Sequence, residues 1–373
     1  MRGFRLAFCV LACFALALPL VAQSVPAAVA PQPIPAGPHD FDFEVGTWHI
    51  HLKRLAQRLA GSHTWVDFDG TSTTRTILGG RGEVEQFETD SPTGHIEGLT
   101  VRLYDPQTHQ WRIYWANSSD GQLGTPMIGY FRNGVGEFYD QEFWNGRSVY
   151  VRFIWSQITP NSAHFEQSCS VDGGKTWEVN WITDQTRTGG EPSWSQPQDN
   201  RSSTSSADES AAQMTPFPDG RHDFDFNFGV WKTHIERRVH PLDHSDEWTE
   251  LNGTVTVHKL WGGRAAMEEI DASGASGRLH GITLFLYDPE TRQWSQTFAS
   301  ANDGQLGTPE VGVFRDGRGF LVDQETFDNR TILVNAVWSQ IAPDSHHFEQ
   351  SFSDDGGKTW EPVFVASLTR LAH

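Results

Sequence analysis

The chain has 373 residues, carries a formal net charge of −19 and contains 15 tryptophans. That length is enough for about two to three average domains. The acidic balance argues against nucleic acid or an anionic membrane surface as a partner, because both would repel it. A composition rich in Trp, Phe, Gly, Thr and Val favours sheets and tight turns over helices.

The N-terminal segment has the pattern of an export signal. Arg2 and Arg5 precede an almost wholly apolar run that ends at Leu20, and Ala22 offers a small residue before Gln23. This order predicts a signal peptide over residues 1–22 and a periplasmic or secreted protein, with no membrane insertion after cleavage. An uncleaved anchor is the alternative, although the run is short for a spanning helix. Residues 23–38 are rich in Pro and Ala and predict a stalk.

The rest of the chain repeats itself at an offset of 183 residues. The segment from His39 to Arg187 aligns without a gap on the segment from His222 to Arg370, and 68 of the 149 pairs are identical. This period is too long for a solenoid or propeller unit, so each copy is expected to bury its own core. The sequence predicts one domain at 39–187 and a second at 222–373, which could pack together as a pseudo-dimer.

The segment between the copies, 188–221, is rich in Ser, Gln, Asp, Gly and Pro and lacks apolar periodicity. It is predicted to be a disordered linker. The cysteines give no sign of a disulfide, because Cys9 and Cys13 fall in the signal peptide. Cys169 alone remains, and its counterpart is Phe352. A position that accepts either residue is expected to be a buried apolar site.

Each copy contains about ten short strand candidates separated by turn residues. Asn133-Gly134, Asn145-Gly146 and similar pairs suit the tight turns of hairpins. Even spacing of short strands predicts a meandering antiparallel sheet, and ten such strands can close on themselves. The predicted fold class is therefore all-β, with two tandem antiparallel up-and-down barrels. In the first copy the strands are predicted near 46–55, 64–77, 82–89, 97–104, 110–117, 127–132, 136–143, 147–156, 162–170 and 176–186.

Both copies begin with Gly-x-Trp and end with Thr-Arg, which places Trp48 with Arg187 and Trp231 with Arg370. This pairing resembles the lipocalin and fatty-acid-binding barrels of the calycin type. The resemblance implies that a first-strand Trp closes one barrel end and a last-strand Arg packs across it. The opening Phe-Asp-Phe-x-x-Gly-x-Trp, with the later Tyr-Asp-Pro and Asp-Gly-Gly-Lys-Thr-Trp, is similar to a bacterial family of lipocalin-like domains without assigned function.

Polar residues that occur in both copies and face a barrel interior are the best candidates for a binding site. Glu85 and Glu268 correspond, and each shares a strand face with an apolar residue two positions on. A carboxylate on such a face could orient a ligand or act as a general base with a raised pKa. The alternative is a buried ion pair, with Arg81 or the terminal Arg as partner in the first copy.

A second shared pattern is His164-x-Glu166-x-Ser168, which matches His347-x-Glu349-x-Ser351. Alternation places these side chains on one strand face, where neighbours two positions apart stand about 6–7 Å apart. That spacing suits a binding strip better than a catalytic triad. The paired carboxylates Asp140 and Glu142 are assigned to a solvated face with cross-strand ion pairs.

These patterns favour a protein that binds a small, partly apolar molecule in the barrel interior, without catalysis. The first alternative is an interior hydrolase, isomerase or hydratase that uses Glu85 with His164 or Glu166, and their copies. A second is a haem-binding, nitrobindin-like barrel, for which His164 and His347 are the best candidate ligands. A purely structural pseudo-dimer with packed interiors is a third. No cofactor is otherwise expected, and no metal-ligand cluster of recognised spacing is found.

Overall fold

The computed structural model describes residues 37–92, 94–194 and 218–371. The predicted signal peptide, nearly all of the predicted stalk and residues 195–217 of the predicted linker lie outside these ranges. Twenty strands, β1 to β20, account for most of the described chain, with two three-residue 3-10 helices at Asp225–Asn227 and Trp261–Gly263. No helix in the described ranges is long and apolar enough to cross a membrane.

The first ten strands form a closed antiparallel barrel, barrel 1, in which each strand pairs with its neighbours in sequence and β1 closes the sheet against β10. Its hairpin turns use the residues expected of them, since Asn133 and Asn145 adopt positive φ angles of 54° and 48° just before a glycine. The strands are β1 Gly46–Leu55, β2 Trp65–Ile77, β3 Gly82–Ser91, β4 Gly94–Asp105, β5 Gln110–Asn117, β6 Met127–Arg132, β7 Val135–Trp144, β8 Arg147–Thr159, β9 Ser162–Ser170 and β10 Glu178–Gly189.

The second ten strands repeat this architecture as barrel 2, with β11 closing against β20. The predicted fold class of two tandem ten-stranded antiparallel barrels is therefore confirmed. The strands are β11 Gly229–Arg238, β12 Trp248–Leu260, β13 Ala265–Gly274, β14 Gly277–Asp288, β15 Gln293–Ser300, β16 Glu310–Arg315, β17 Arg318–Phe327, β18 Arg330–Ala342, β19 Ser345–Ser353 and β20 Glu361–Arg370.

One end of barrel 1 is closed by Trp48 and Arg187. The guanidinium of Arg187 lies 4.2 Å from the centroid of the buried Trp48 ring. Its Nη1 and Nη2 donate to the carbonyl oxygens of Val45 and Phe43, both at 2.6 Å. Gly46 has a φ of 135°, and a Cβ there would collide with Arg187, so the first Gly of Gly-x-Trp makes room for the guanidinium.

Barrel 2 closes in the same way. The guanidinium of Arg370 lies 4.0 Å from the Trp231 ring centroid and donates to the carbonyl oxygens of Phe228 and Phe226. The two closed ends therefore share one geometry, in which a cation covers an aromatic face and ties down the chain that enters the first strand.

The barrels share a hydrophobic cluster that includes Leu99 and Val101 of barrel 1 with Ile282 and Leu284 of barrel 2. Polar contacts cross the same boundary, since the backbone N–H of Leu306 donates to the Tyr114 hydroxyl at 3.1 Å. Two further contacts join Leu78 N–H to Glu269 and Arg264 to Glu97. Side chains that point outward from β3 to β5 and from β13 to β15 are therefore buried between the walls of the two barrels.

The described start of the predicted linker is tied to this boundary. Strand β10 runs on to Gly189, and the side chain of Glu191 then accepts hydrogen bonds from the backbone and hydroxyl of Thr76. Trp194 stacks on His258 of barrel 2 at a centroid distance of 3.9 Å, with the Arg75 guanidinium of barrel 1 over its ring. Residues 191–194 thus contact both barrels.

Candidate functional site

Barrel 1 encloses a cavity of about 760 Å³ that is lined by side chains from most of its strands. The lining is dominated by aromatic and aliphatic groups, because inward positions on each strand alternate with outward ones. Burial patterns such as eBeBeieiei in β7 follow this alternation. Seven aromatic side chains face the cavity: Phe87, Trp115, Trp144, Phe153, Trp155, Phe165 and Trp181.

A layer of charged groups lies toward the closed end of this cavity. Arg102 donates through Nη2 to Glu85 at 2.5 Å, and its Nη1 lies 3.6 Å from a carboxylate oxygen of Glu83. The other oxygen of Glu85 accepts the Ser72 hydroxyl at 2.7 Å. Glu44 completes the layer and accepts the indole N–H of Trp155 at 2.8 Å. Glu85 and Arg102 line the cavity, whereas Glu44 and Glu83 lie behind them.

Burial controls the protonation of this layer. It raises the pKa of Glu44 to about 7, although Arg102 opposes the shift. Burial also raises the pKa of Glu83 well above its usual value, again against Arg102. Arg102 itself is disfavoured as a cation by burial, but the carboxylates of Glu85, Glu44 and Glu83 outweigh that effect and raise its pKa. The layer therefore consists of an Arg102 cation hydrogen-bonded to Glu85, beside the carboxyl groups of Glu44 and Glu83, which burial disposes to hold protons.

Further polar side chains line the cavity at its wall and mouth, including groups on β10 and β7. Asn180, Thr183 and Gln185 on β10 are each buried and face inward. Asp140 lies on β7 near the mouth, where burial and the neighbouring Glu142 raise its pKa to about 7. Asp140 and Glu142 were expected on a solvated face. Both line the cavity instead, because the inward face of β7 continues past Phe138 to its C-terminal end.

A loop from the β1–β2 connection extends over the mouth. Arg58 in this loop lies 3.6 Å from the centroid of the Trp144 ring, and its Nη2 is 3.8 Å from a carboxylate oxygen of Glu142. The backbone N–H of Leu59 donates to Glu178 at 2.5 Å. The loop is thus fastened to β7 by a cation over an aromatic ring and to the start of β10 by a carboxylate.

The predicted binding strip of His164 and Glu166 lies on the outside of barrel 1. His164 Nδ1 is 2.7 Å from Asp184 and its Nε2 is 3.3 Å from Glu166, and none of the three lines the cavity. The interior side chains of β9 are Phe165 and Gln167. This corrects the sequence assignment, because alternation separates two faces of a strand but does not identify the inner one. The raised pKa of His164 arises from hydrogen bonds to Asp184 and Glu166, which outweigh its desolvation.

Glu85 does face the interior, as expected, but its partner differs from the one considered from the sequence. Arg102, and not Arg81 or the terminal Arg187, forms the ion pair. The aligned residue to Arg102 in barrel 2 is Phe285. Selection of residues shared by both copies therefore excluded Arg102, Asn180, Thr183 and Gln185, whose counterparts are all apolar. These four positions could have been found by the opposite comparison, which looks for polar residues in one copy where the other copy has apolar residues.

Barrel 2 has a different interior. Glu268 is buried with a pKa raised by burial to about 7, and one of its oxygens accepts the Thr283 hydroxyl. His347 and Glu349 again lie on the outer face, where His347 is 3.5 Å from the Ser367 hydroxyl. The neighbouring His346 points inward and packs against Trp231 at a ring-centroid distance of 4.3 Å. Burial lowers its pKa to about 3.

A second polar group in barrel 2 centres on Glu310. It accepts hydrogen bonds from the side-chain amides of Gln296 and Gln350. Asp323 on the adjacent strand has a pKa raised to about 8, first by burial and then by repulsion from Glu325 and Glu310. Met127 occupies the position of Glu310 in barrel 1. Glu310 is therefore specific to barrel 2, whereas Glu268 and Asp323 keep the positions of Glu85 and Asp140.

Histidine and carboxylate groups offer little for a metal or haem among the described residues. Within the described ranges, one set of ligand atoms lies within 4.8 Å, from His234, Glu236 and Glu250, and all three residues are exposed. The described side chains that line the barrel 1 cavity include no histidine. His164 and His347, which were considered as haem ligands, face outward as described above.

Comparisons with known proteins add little beyond the fold. No protein-family model matches the chain, and no curated protein matches it. An S-type phycobiliprotein lyase from Guillardia theta is similar in structure over 40% of this chain and 91% of its own, at 13% identity and a TM-score of 0.29. A DUF3598-family protein of unknown function from Nostoc punctiforme aligns over 90% of this chain and 98% of its own, at 12% identity and a TM-score of 0.23.

Proposed function

We propose that this protein binds one small, partly apolar molecule in the interior of barrel 1 and does not act on it chemically. The observation that carries this proposal is the cavity of about 760 Å³. Binding sites for small molecules are commonly concave, of roughly 300–1,000 Å³, and mostly apolar with a few placed polar groups. The seven aromatic side chains of the lining and its buried polar groups on β3, β4 and β10 have this character.

The charged layer supports binding of a molecule without net charge. The Arg102 cation already has Glu85 as its partner, and Glu44 and Glu83 hold protons readily for the reasons given above. A ligand carboxylate would compete with Glu85 for the guanidinium and would meet two further acidic groups. A neutral ligand avoids that cost.

Barrel 2 serves in this proposal as a packing partner and not as a second binding site. Phe285 replaces Arg102 there and packs with Leu368 and Trp338 in the interior hydrophobic cluster. We therefore expect one bound molecule per chain.

The enzyme alternative required Glu85 to meet His164 or Glu166 in one cavity. Neither His164 nor Glu166 lines the cavity that contains Glu85, which favours binding without catalysis. The outward position of His164 also argues against it as a haem ligand. Export to the periplasm or outside the cell also belongs to the proposal, and it depends on the sequence pattern of residues 1–22.

The proposal is tested by titration of the purified full chain with the neutral fluorophore N-phenyl-1-naphthylamine, whose emission rises in apolar surroundings. We expect one molecule bound per chain. Gln167→Trp should fill part of the barrel 1 cavity and abolish the signal, whereas Gln350→Trp at the matched position of barrel 2 should not. Thermal unfolding confirms that both variants fold.

Two binding sites, or binding that survives Gln167→Trp but is lost in Gln350→Trp, would contradict the assignment to barrel 1. Organic extraction of the protein from its native host, followed by mass spectrometry, then identifies the natural ligand. An absorbance scan of the same preparation tests for haem.

A further inference from the structure

One wall of the barrel 1 cavity presents a row of hydrogen-bond acceptors without partners. Asn180 Oδ1, Thr183 Oγ1 and Gln185 Oε1 are buried and accept no hydrogen bond from any described residue. The three residues are 3%, 6% and 8% exposed and all line the cavity. Because they follow one another along β10, they form a polar edge from the mouth of the cavity toward its closed end.

Arg102 adds hydrogen-bond donors at the inner end of the cavity. Its Nη2 is used by Glu85, but Nε and Nη1 donate no hydrogen bond within the described part of the chain. The residue is 2% exposed and lines the cavity. An uncharged acceptor on a ligand, such as a carbonyl or ring oxygen, would satisfy these N–H groups and leave the Glu85 pair intact.

The duplicated copy shows that the fold does not need these polar groups. The counterparts of Asn180, Thr183, Gln185 and Arg102 are Val363, Ala366, Leu368 and Phe285, which are all buried in barrel 2. A buried polar atom without a hydrogen-bond partner destabilises the fold. Barrel 1 therefore carries unpaired acceptors at three matched positions of β10, which a ligand with complementary groups would offset.

The apolar part of the lining indicates the shape of the ligand. Trp115, Trp155 and Trp181 face the same space as the polar edge. Flat aromatic rings stack favourably on such side chains, and a cavity with this much aromatic surface suits an aromatic ring better than a sugar with polar groups on both sides.

We propose that the ligand of barrel 1 is an uncharged polyhydroxylated aromatic molecule, whose hydroxyl groups donate to the acceptor row of β10 while its rings pack against the tryptophans. A carbonyl of the same molecule accepts from Arg102. This inference deepens the proposed function and rests on it, because it assigns a chemical class to the molecule in the same cavity.

The test compares two probes that differ in their hydroxyl groups. Quercetin carries several phenolic hydroxyls and a carbonyl on a fused ring system, and flavone is the same skeleton without the hydroxyls. We expect calorimetric titration of the full chain to show quercetin bound one to one, at least tenfold more tightly than flavone. The double variant Thr183→Ala/Gln185→Leu installs the barrel 2 residues and should remove most of the quercetin preference, since it deletes two of the three acceptors that the phenolic hydroxyls would use.

This variant is expected to fold, because it installs the residues that occupy the matched positions of barrel 2, and thermal unfolding checks that it does. Asp184→Asn on the outer face of the same strand is the matched control and should leave both affinities unchanged. Equal affinity for flavone and quercetin, or a preference that the double variant retains, would overturn the inference. So would tighter binding of maltose than of quercetin, which would indicate a carbohydrate site.

The two proposals fail in different ways. If N-phenyl-1-naphthylamine binds in barrel 1 but quercetin shows no advantage over flavone, the chemical class is wrong and the binding function stands. If no probe binds in barrel 1, the proposed function itself is wrong.

Discussion

Barrels 1 and 2 have the same strands, the same closed ends and 68 identical residues in 149, yet their interiors are built differently. Barrel 1 contains a charged layer around Arg102 and a cavity above it, whereas barrel 2 places Phe285 at the Arg102 position in a hydrophobic cluster. The exchanges are concerted, because Glu83 becomes Ala266 and Glu44 becomes Asn227 in the copy that lacks the cation. Two of the three buried carboxyl groups beside Arg102 are thus lost together with the cation, and the third is kept as Glu268, whose pKa burial raises to about 7.

The largest effect is expected when this charged layer is broken in one step. Arg102→Phe installs the barrel 2 residue but leaves the buried carboxyl groups of Glu44, Glu83 and Glu85 without the cation that they share, so we expect a loss of roughly 3–5 kcal/mol of unfolding free energy in urea. Adding Glu83→Ala and Glu44→Asn to the same chain should recover most of that loss. A triple variant as unstable as Arg102→Phe would show that the exchanges are not coupled.

We expect matched substitutions at the two closed ends to change stability by similar amounts, although the two interiors differ. Arg187→Met and Arg370→Met each remove a cation over a tryptophan and hydrogen bonds to loop carbonyls. We expect each to reduce the unfolding free energy by roughly 2–4 kcal/mol, with similar losses in the two barrels. A large effect in only one barrel, measured by urea unfolding with the same protocol, would break the equivalence of the two ends.

The pH dependence of the unfolding free energy distinguishes Asp323 in barrel 2 from Asp140 in barrel 1. A carboxyl whose pKa is raised on folding stabilises the protein while protonated, so its contribution is complete below its unfolded pKa and is lost as the pH rises through the folded value. Asp323 has a pKa of about 8 and Asp140 of about 7. We expect Asp323→Asn to flatten the decline of the unfolding free energy between pH 6.5 and about 8, where the folded carboxyl still holds its proton. Asp140→Asn should flatten the same decline only up to about pH 7.

That window also avoids the buried histidines. His258 and His346 have lowered pKa values, because burial disfavours their cations, and they gain protons on unfolding only below about pH 6.5. Identical pH profiles for the wild type and Asp323→Asn above pH 6.5 would contradict the assignment of the shift to Asp323.

The smallest effect on stability is expected at the loop over the barrel 1 mouth. Arg58→Ala removes a partly exposed cation from the Trp144 ring and from Glu142, and each contact contributes under about 1 kcal/mol. The same variant should accelerate dissociation of N-phenyl-1-naphthylamine in stopped-flow measurements, because the loop is less firmly held. Barrel 2 has Pro241 at this position and lacks such a contact. An unchanged dissociation rate would show that the loop does not limit exchange.

The sequence allowed the fold to be predicted in detail but the site only in part. Strand number and position followed from turn residues such as Asn145-Gly146 and from the alternation between them, since these are local properties. Glu85 was found because both copies keep it. Arg102 and Gln185 were missed because a search for residues shared by both copies discards polar residues that occur in only one of them. His164 was assigned inward because alternation alone cannot distinguish the inside of a barrel from its outside.

The shared cluster between the barrels changes what the duplication means for the history of this chain. The outward side chains of Leu99 in one copy and Ile282 in the other are buried only while both copies are present. We therefore expect substitutions on the wall of barrel 2 to be constrained by its neighbour as well as by its own fold. Under that constraint, a duplicated copy that binds nothing still contributes to the stability of the copy that does.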